Sequence, residues 1–245
     1  MAQNGAPSRL TLAAGWYVQI TGDNFDLEEW DHSLNEPFDP VVLAEPDGNF
    51  LLRSSEFHTA QNAEEVREKA QALISRLNGA MSLTHGCSPV SLGGVIQAGE
   101  NGARHAFVYA ESSVIVLSSL RARVTATVSG PNGQVVPPPP PKPSDAQRWN
   151  AKAAGDDKVA DLLEQLGKAK GWYEIYKTIE FASHLAGGER ELWALLGSSA
   201  ADCKKLKQTA NFYRHARAPR PANPTPIGDA KPLLDMMVRK AIEAI

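Results

Sequence analysis

Cysteine is scarce in this chain. Only Cys87 and Cys203 occur among its 245 residues. His85 is the only histidine close to either of them, and one such pair lacks the repeated Cys and His spacing of a zinc site. We therefore predict two reduced thiols, and we expect neither a bound metal nor a cofactor.

Long apolar runs are also missing. The longest unbroken aliphatic stretch covers residues 114–117, whereas a helix that crosses a bilayer needs about 20 apolar residues. The first residues lack the charged and apolar regions of a secretory signal. We therefore expect a cytoplasmic protein that has no membrane partner.

Three catalytic signatures are absent from the sequence. It contains no Gly-x-Ser-x-Gly elbow, no Gly-x-x-x-x-Gly-Lys phosphate loop and no dinucleotide-binding glycine fingerprint. These absences argue against the hydrolase, nucleotidase and dehydrogenase classes that depend on them. They leave active sites built from dispersed residues open, so the sequence does not decide whether the protein is an enzyme.

Proline and charge divide the chain into two halves. Residues 137–141 are all proline, with Pro143 following, and such a run favours an extended rod that spans roughly 20 Å. Residues 1–136 carry 15 acidic and 8 basic side chains, whereas residues 137–245 carry 13 acidic and 17 basic ones. We predict an acidic domain over 1–136, a polyproline linker over 137–143 and a basic domain over 144–245, each with its own hydrophobic interior. The prolines alternatively form a ligand for an aromatic-lined groove.

The first half has the pattern of an α+β domain. Apolar residues alternate from Trp16 to Ile20, which is typical of a half-buried strand. Two hairpins are expected, and strands are predicted at residues 41–44, 50–52, 91–98, 103–110, 114–117 and 124–128. One helix begins after Asn62 and ends at Gly79. The fold class predicted for this half is an antiparallel sheet plus one helix.

An acidic tract lies between Arg9 and Arg53, where the chain has no lysine or arginine. Its carboxylates extend from Asp23 to Asp47. We interpret the tract as a solvated loop face, and the alternatives are a cation site or a docking surface for a basic partner. The regular repeat of a calcium-binding loop is not present.

The second half is predicted to be an all-α helical bundle. Ser144 and Asp156 can cap two helices, and a third carries the apolar stripe from Trp172 to Ala182. A short helix around Trp193 ends at Gly197. The spacing of Ser199 and Asp202 is that of a capping box, and the final helix begins near Asp229.

A basic segment follows in residues 204–220, where no acid occurs. Cations that neutralise phosphates, together with aromatic rings that stack on bases, predict a nucleic-acid surface. The alternative is the solvated face of a helix whose aromatic residues lie in the core, or a surface for a protein partner. The candidate ligand-binding residues are Tyr176, Lys177, Asn211, Arg217, Lys204 and Lys205.

A second cluster combines two helices. Tyr173, Tyr176, Lys177 and Glu180 share one helix face by their spacing. Glu180 can thereby meet Arg214 and His215 of the basic segment. A histidine beside an arginine and a carboxylate has the groups needed for proton transfer, so these three residues are the catalytic candidates. An ordinary polar network between helices uses the same residue types.

The order of several residues resembles a helical module of uncharacterised bacterial proteins. It is carried over about 75 residues by Trp172-Tyr173-x-x-Tyr176-Lys177-x-x-Glu180, Gly187-Gly188, Ala210-Asn211 and Arg214-His215-Ala216. This resemblance implies no activity. The segment is more remotely similar to HEPN-type ribonucleases, in which an arginine precedes a catalytic histidine by four to six residues, whereas Arg214 and His215 are adjacent here.

Three functional hypotheses result. The first is a soluble, non-enzymatic binding or regulatory protein in which the acidic tract docks on the basic segment. The second is a metal-independent ribonuclease that uses His215 as acid or base and Arg214 or Arg217 to stabilise the phosphate. The third is a protein that binds nucleic acid with little sequence preference.

Overall fold

The computed structural model describes residues 10–109, 140–215 and 220–245. Three predicted features lie outside these residues: the strands at 114–117 and 124–128, most of the proline run, and Arg217. The strands are β1 (Gly15–Thr21), β2 (Val41–Ala44), β3 (Phe50–Arg53), β4 (Ser91–Ala98) and β5 (Arg104–Val108). The helices are α1 (Asn24–Ser33), α2 (Ala63–His85), α3 (Asp145–Gly155), α4 (Asp157–Gly167), α5 (Trp172–Leu185), α6 (Glu189–Leu196), α7 (Ala200–Arg214) and α8 (Ile227–Glu243).

The five strands form one antiparallel sheet in the order β2-β3-β1-β4-β5. Both expected hairpins are confirmed: Val42 pairs with Leu52 across the first, and Ile96 pairs with Ala106 across the second. The first turn closes with a positive φ of 87° at Gly48, which a residue with a side chain adopts with difficulty. The predicted α+β arrangement of the first half is therefore correct at this level.

The acidic tract begins with a helix, so the loop interpretation is wrong there. The Asp23 carboxylate caps α1 by accepting a hydrogen bond from the Phe25 N–H at 3.0 Å. Leu27 and Trp30 are buried beneath the helix, and even Asp26 is only 2% exposed. The described first half therefore holds two α-helices instead of one, because four buried residues fix this short helix onto the rest of the domain.

The second helix, α2, begins as predicted but does not end at Gly79. Asn62 caps its N-terminus by accepting a hydrogen bond from the Glu65 N–H. The helix continues to His85 and ends at Gly86, whose φ of 66° is left-handed. Gly79 lies inside the helix because α4 crosses there: a Cβ at this position would be 2.0 Å from the Leu163 carbonyl oxygen.

Several helices are confirmed in the second half. Ser144 forms a capping box with Gln147, and Asp156 caps α4 by accepting from the Lys158 N–H. Ser199 makes no side-chain cap, so the predicted box with Asp202 is wrong; a 3-10 turn over Gly197–Ser199 leads into α7 instead. None of the helices in the described ranges combines the length and the apolar content that a bilayer crossing requires.

One hydrophobic core extends through both halves, so the expectation of separate interiors is wrong. The same cluster contains Val18 of the sheet, Leu73 of α2, Leu163 of α4 and Met237 of α8, each of them fully buried. Helix α2 packs against both α3 and α4. The helices of the second half therefore complete the interior that the sheet begins.

A buried amide also joins the two halves. The Gln147 Nε2 group donates to the carbonyl oxygens of Asn35, Phe38 and Pro40 at 3.0, 3.1 and 3.0 Å. Gln147 is 2% exposed, and its own oxygen accepts from the Ser144 N–H. Because unpaired buried carbonyls are unfavourable, this residue fixes the start of α3 against the loop that follows α1.

The acidic tract and the basic segment pair with their own surroundings. In the tract, Glu36 binds Arg53 at 2.9 Å and Glu45 binds Arg104. In the basic segment, Lys207 binds Glu189 and Arg214 lies 3.6 Å from Glu180. These pairs do not support the hypothesis that the tract docks on the segment.

The crossing of α2 and α4 gives a first prediction. Gly79→Ala introduces a methyl group against the backbone of α4, and the interior has no room to absorb it. We expect the free energy of unfolding to fall by about 2–3 kcal/mol, measured by urea denaturation.

Gly155→Ala is the matched control, since a Cβ at that helical position meets nothing within 4 Å. It should be neutral or stabilising by up to about 1 kcal/mol. Equal stability of the two variants would contradict the close crossing.

Candidate functional site

A cleft of about 450 Å³ lies between α5, α6 and α7. Four of its residues come from α7, where spacings of three and four residues bring them onto one helix face. Gly187 and Gly188, both with positive φ, turn the chain from α5 into α6 and so close the other side. The lining residues are Tyr176, Glu189, Trp193, Lys204, Lys207, Gln208 and Asn211.

Glu189 holds two of the other lining side chains. One carboxylate oxygen accepts from the Trp193 indole N–H at 3.1 Å, and the other accepts from the Lys207 ammonium. The hydrogen bond from Lys207 lowers the pKa of Glu189 below its usual range. The carboxylate is therefore charged near neutral pH, and it orients both the indole ring and the ammonium group.

Cations lie over the aromatic rings of the cleft. The Arg214 guanidinium carbon is 4.0 Å from the centre of the Tyr176 ring, and the Lys207 nitrogen is 5.8 Å from it. The Lys204 nitrogen is 5.9 Å from the Trp193 ring. Such contacts attract a cation to the electron-rich ring face. The site therefore presents positive charge beside apolar rings.

The predicted cluster on α5 meets the end of α7. Glu180 accepts from the Lys177 ammonium at 2.9 Å, and one of its oxygens lies 3.6 Å from Arg214. The hydrogen bond to Glu180 raises the pKa of Lys177. The structure thus brings together Tyr176, Lys177, Glu180 and Arg214, all of which we singled out in the sequence.

His215 lies at the exposed end of this cluster. The Arg214 Nε–H donates to the His215 Nε2 atom at 3.0 Å. Because a guanidinium is a donor only, this ring nitrogen is the acceptor. The His215 Nε2 atom is therefore occupied by a hydrogen bond, and His215 is not among the described residues that line the cleft.

The other predicted ligand-binding residues are divided. Asn211 and Lys204 line the cleft, whereas the exposed Lys205 projects from a different face of α7. The position of Arg217 lies outside the described residues. Sequence reasoning missed Glu189 and Trp193 as site residues, since Trp193 was assigned only to a short helix. Their spacing of four residues on one helix was the available signal.

A serine, a histidine and a glutamate meet elsewhere, between α1 and α2. Ser33 Oγ lies 3.1 Å from His85 Nε2, and His85 Nδ1 lies 3.0 Å from Glu29 Oε1. In a catalytic triad the serine and the carboxylate stand at opposite edges of the imidazole. Here Ser33 Oγ is only 3.5 Å from the same Glu29 oxygen. The cluster therefore links the last turns of two helices and does not form a proton relay.

Metal and thiol chemistry have little support in this part of the molecule. Within residues 10–109, 140–215 and 220–245, no three His, Cys, Asp or Glu side chains are grouped to hold a metal ion. Both cysteines are buried. Burial raises the pKa of the Cys203 thiol to about 11, so this sulfur is protonated and unreactive at neutral pH.

Comparison with known proteins gives no match: no family model, no curated protein and no solved structure is significantly similar to the chain.

The Glu189–Lys207 pair gives a second prediction. Because the pKa of Glu189 is lowered on folding, the pair stabilises the protein above about pH 4.5, and this contribution is lost as the pH falls through the lowered pKa. Half of the Glu189 side chain is exposed, so solvent weakens the pair. We expect a coupling energy below about 1 kcal/mol at neutral pH.

A double-mutant cycle of Glu189→Gln and Lys207→Met measures this coupling through the free energies of unfolding. The coupling should shrink as the pH falls below about 4.5 and the carboxyl group becomes protonated at its lowered pKa. A coupling that is independent of pH would show that packing, and not charge, joins the two residues.

Proposed function

We propose that this protein is a non-enzymatic binding protein and that the cleft between α5, α6 and α7 binds a negatively charged ligand with a flat ring. One observation supports this most directly: Lys204, Lys207 and Arg214 lie within 6 Å of the Trp193 and Tyr176 ring centres. The aromatic side chains can stack on a flat ring of the ligand, and the cations can pair with its negative charge.

The size and the lining of the cleft support a small ligand or one unit of a larger one. A volume of about 450 Å³ is within the usual range of roughly 300–1,000 Å³ for ligand pockets. Gln208 and Asn211 add amide groups, each of which both donates and accepts hydrogen bonds. These amides can distinguish ligands that differ at the edge of a ring.

The charge pattern favours binding over catalysis. Glu189, the one carboxylate among the described lining residues, is held ionised by Lys207 and already accepts from two donors. Its environment is therefore unlike that of a general base, which needs a pKa near the working pH. Among the residues that the structure describes, no serine, cysteine or histidine that could serve as a nucleophile or base lines the cleft.

A fluorescent probe tests the proposal. 8-Anilinonaphthalene-1-sulfonate carries a sulfonate and fused rings, and its fluorescence rises when water is excluded. We expect saturable binding to the folded protein. Trp193→Ala should weaken it by about tenfold, which corresponds to the loss of one stacking surface.

Two neighbouring lysines allow the contribution of positive charge to be tested against a matched control. Lys204→Met should weaken the binding of the probe about threefold, because Lys204 borders the cleft. Lys205→Met removes the same charge from the other face of α7 and should leave the affinity unchanged. Equal effects of the two substitutions, or probe binding that survives Trp193→Ala, would exclude the cleft as the binding site.

The ribonuclease hypothesis is tested through His215. If His215 is the acid or base, His215→Ala abolishes RNA cleavage while the fold and the binding of RNA persist. We expect instead that the wild type and the variant cleave a fluorogenic RNA at the same background rate, because Arg214 occupies the His215 Nε2 atom. Cleavage that disappears in His215→Ala would overturn the non-enzymatic proposal. The resemblance to the bacterial helical module stays a prediction.

A further inference from the structure

We infer that the ligand is a single-stranded nucleic acid, which extends from the cleft along the end of α7 to a second aromatic surface formed by Trp172 and Tyr213. The inference rests on the proposed function, since the cleft is one end of this track. It specifies that the ligand is a polymer, gives the path that the strand follows on the protein and adds a second contact site.

The second surface is a stacked aromatic pair. The rings of Trp172 and Tyr213 lie 5.2 Å apart with an interplanar angle of 11°, and Phe212 meets Tyr213 edge-on at 5.0 Å. Tyr213 is nevertheless 50% exposed. The stack fixes the orientation of a tyrosine ring while much of its surface faces solvent. A fixed, exposed ring is a suitable platform for a base.

The two surfaces are connected on one side of the molecule. Trp172 and Tyr176 are four residues apart on α5, so they lie on one face and about one helical turn, 5.4 Å, from each other. Arg214 directly follows Tyr213 and covers the Tyr176 ring at 4.0 Å. The surface therefore runs from Trp193 through Tyr176 and Arg214 to Tyr213.

Cations follow the same path. Lys204, Lys207 and Arg214 border it, beside the carboxylates of Glu180 and Glu189. Lys207 and Arg214 are held in place, with only 19% and 20% of their side chains exposed. A phosphate of a bound strand can accept hydrogen bonds from the donors of Lys207 and Arg214 and can thus replace their carboxylate partners.

The rings identify the ligand more closely than the charges do. A duplex hides the faces of its bases, whereas a single strand exposes them for stacking on Trp193 and Tyr213. An acidic peptide would use the cations but not these ring faces. Gln208 and Asn211 match the donors and acceptors on the edge of an unpaired base. An RNA or a DNA single strand has the chemistry that this track recognises.

Fluorescence anisotropy with oligothymidylates of increasing length tests the inference. We expect an oligomer of about twelve nucleotides to bind at least tenfold more tightly than thymidine monophosphate, because it reaches both aromatic surfaces. Binding releases counterions from the phosphates, and this release is less favourable at high salt. The affinity should therefore fall as the salt concentration rises.

Two variants separate the ends of the track. Tyr213→Ala should lower the affinity for the oligomer by about tenfold and leave monophosphate binding unchanged, whereas Trp193→Ala should weaken both. Tyr173→Ala is the control, because Tyr173 is equally exposed but is outside the Trp172–Tyr213 stack. Circular dichroism verifies that each variant is folded.

Three results would overturn the inference: an affinity that does not grow with length, an unchanged oligomer affinity in Tyr213→Ala, or equally tight binding of an oligo-aspartate of the same charge. The last result would identify a surface for acidic peptides. Each of them leaves probe binding in the cleft intact, so the inference can fail while the proposed function stands. Loss of probe binding alone would remove the proposed function instead.

Discussion

The close crossing of α2 and α4 is the contact on which the rest of this structure depends. At Gly79 the two backbones approach so closely that a Cβ would meet the Leu163 carbonyl oxygen, and at Gly167 a Cβ would lie 2.8 Å from the Ser75 carbonyl oxygen. Two glycines therefore let the long helix of the sheet-bearing half pack directly against the second half. Through α4 the shared core extends to α5, and α5 in turn carries α7 and one wall of the cleft.

The charged side chains of the cleft are held in ion pairs, and its aromatic surfaces are open to a ligand. Glu189 and Glu180 each hold cations in defined positions, so the ammonium and guanidinium groups are ordered before a ligand arrives. Ordering of this kind reduces the entropy that binding has to overcome. The same carboxylates also compete with a bound anion for these cations. This balance fits a site that binds reversibly, and it gives salt and pH a direct influence on affinity.

Local signals predicted much of the fold. Asn62, Ser144 and Asp156 were identified as helix caps because a short polar side chain satisfies free N–H groups in any surrounding. Both hairpins followed from alternation and turn residues. Gly79 was misread as a helix end, since glycine serves equally well where a chain stops and where two helices touch. Likewise α1 was taken for a loop, because its many acids conceal the few residues that are buried.

Sequence periodicity alone predicted most of the helices and strands and singled out Tyr176, Glu180 and Arg214, because spacing along one element depends only on the geometry of that element. Folding in three dimensions decided that the two halves share one interior, that Trp193 and Glu189 face the cleft while Lys205 does not, and that Arg214 lies over the Tyr176 ring. Those outcomes depend on contacts between residues far apart in the chain. Such contacts are chosen by close packing and hydrogen-bond satisfaction, and neither is visible within a short window of sequence.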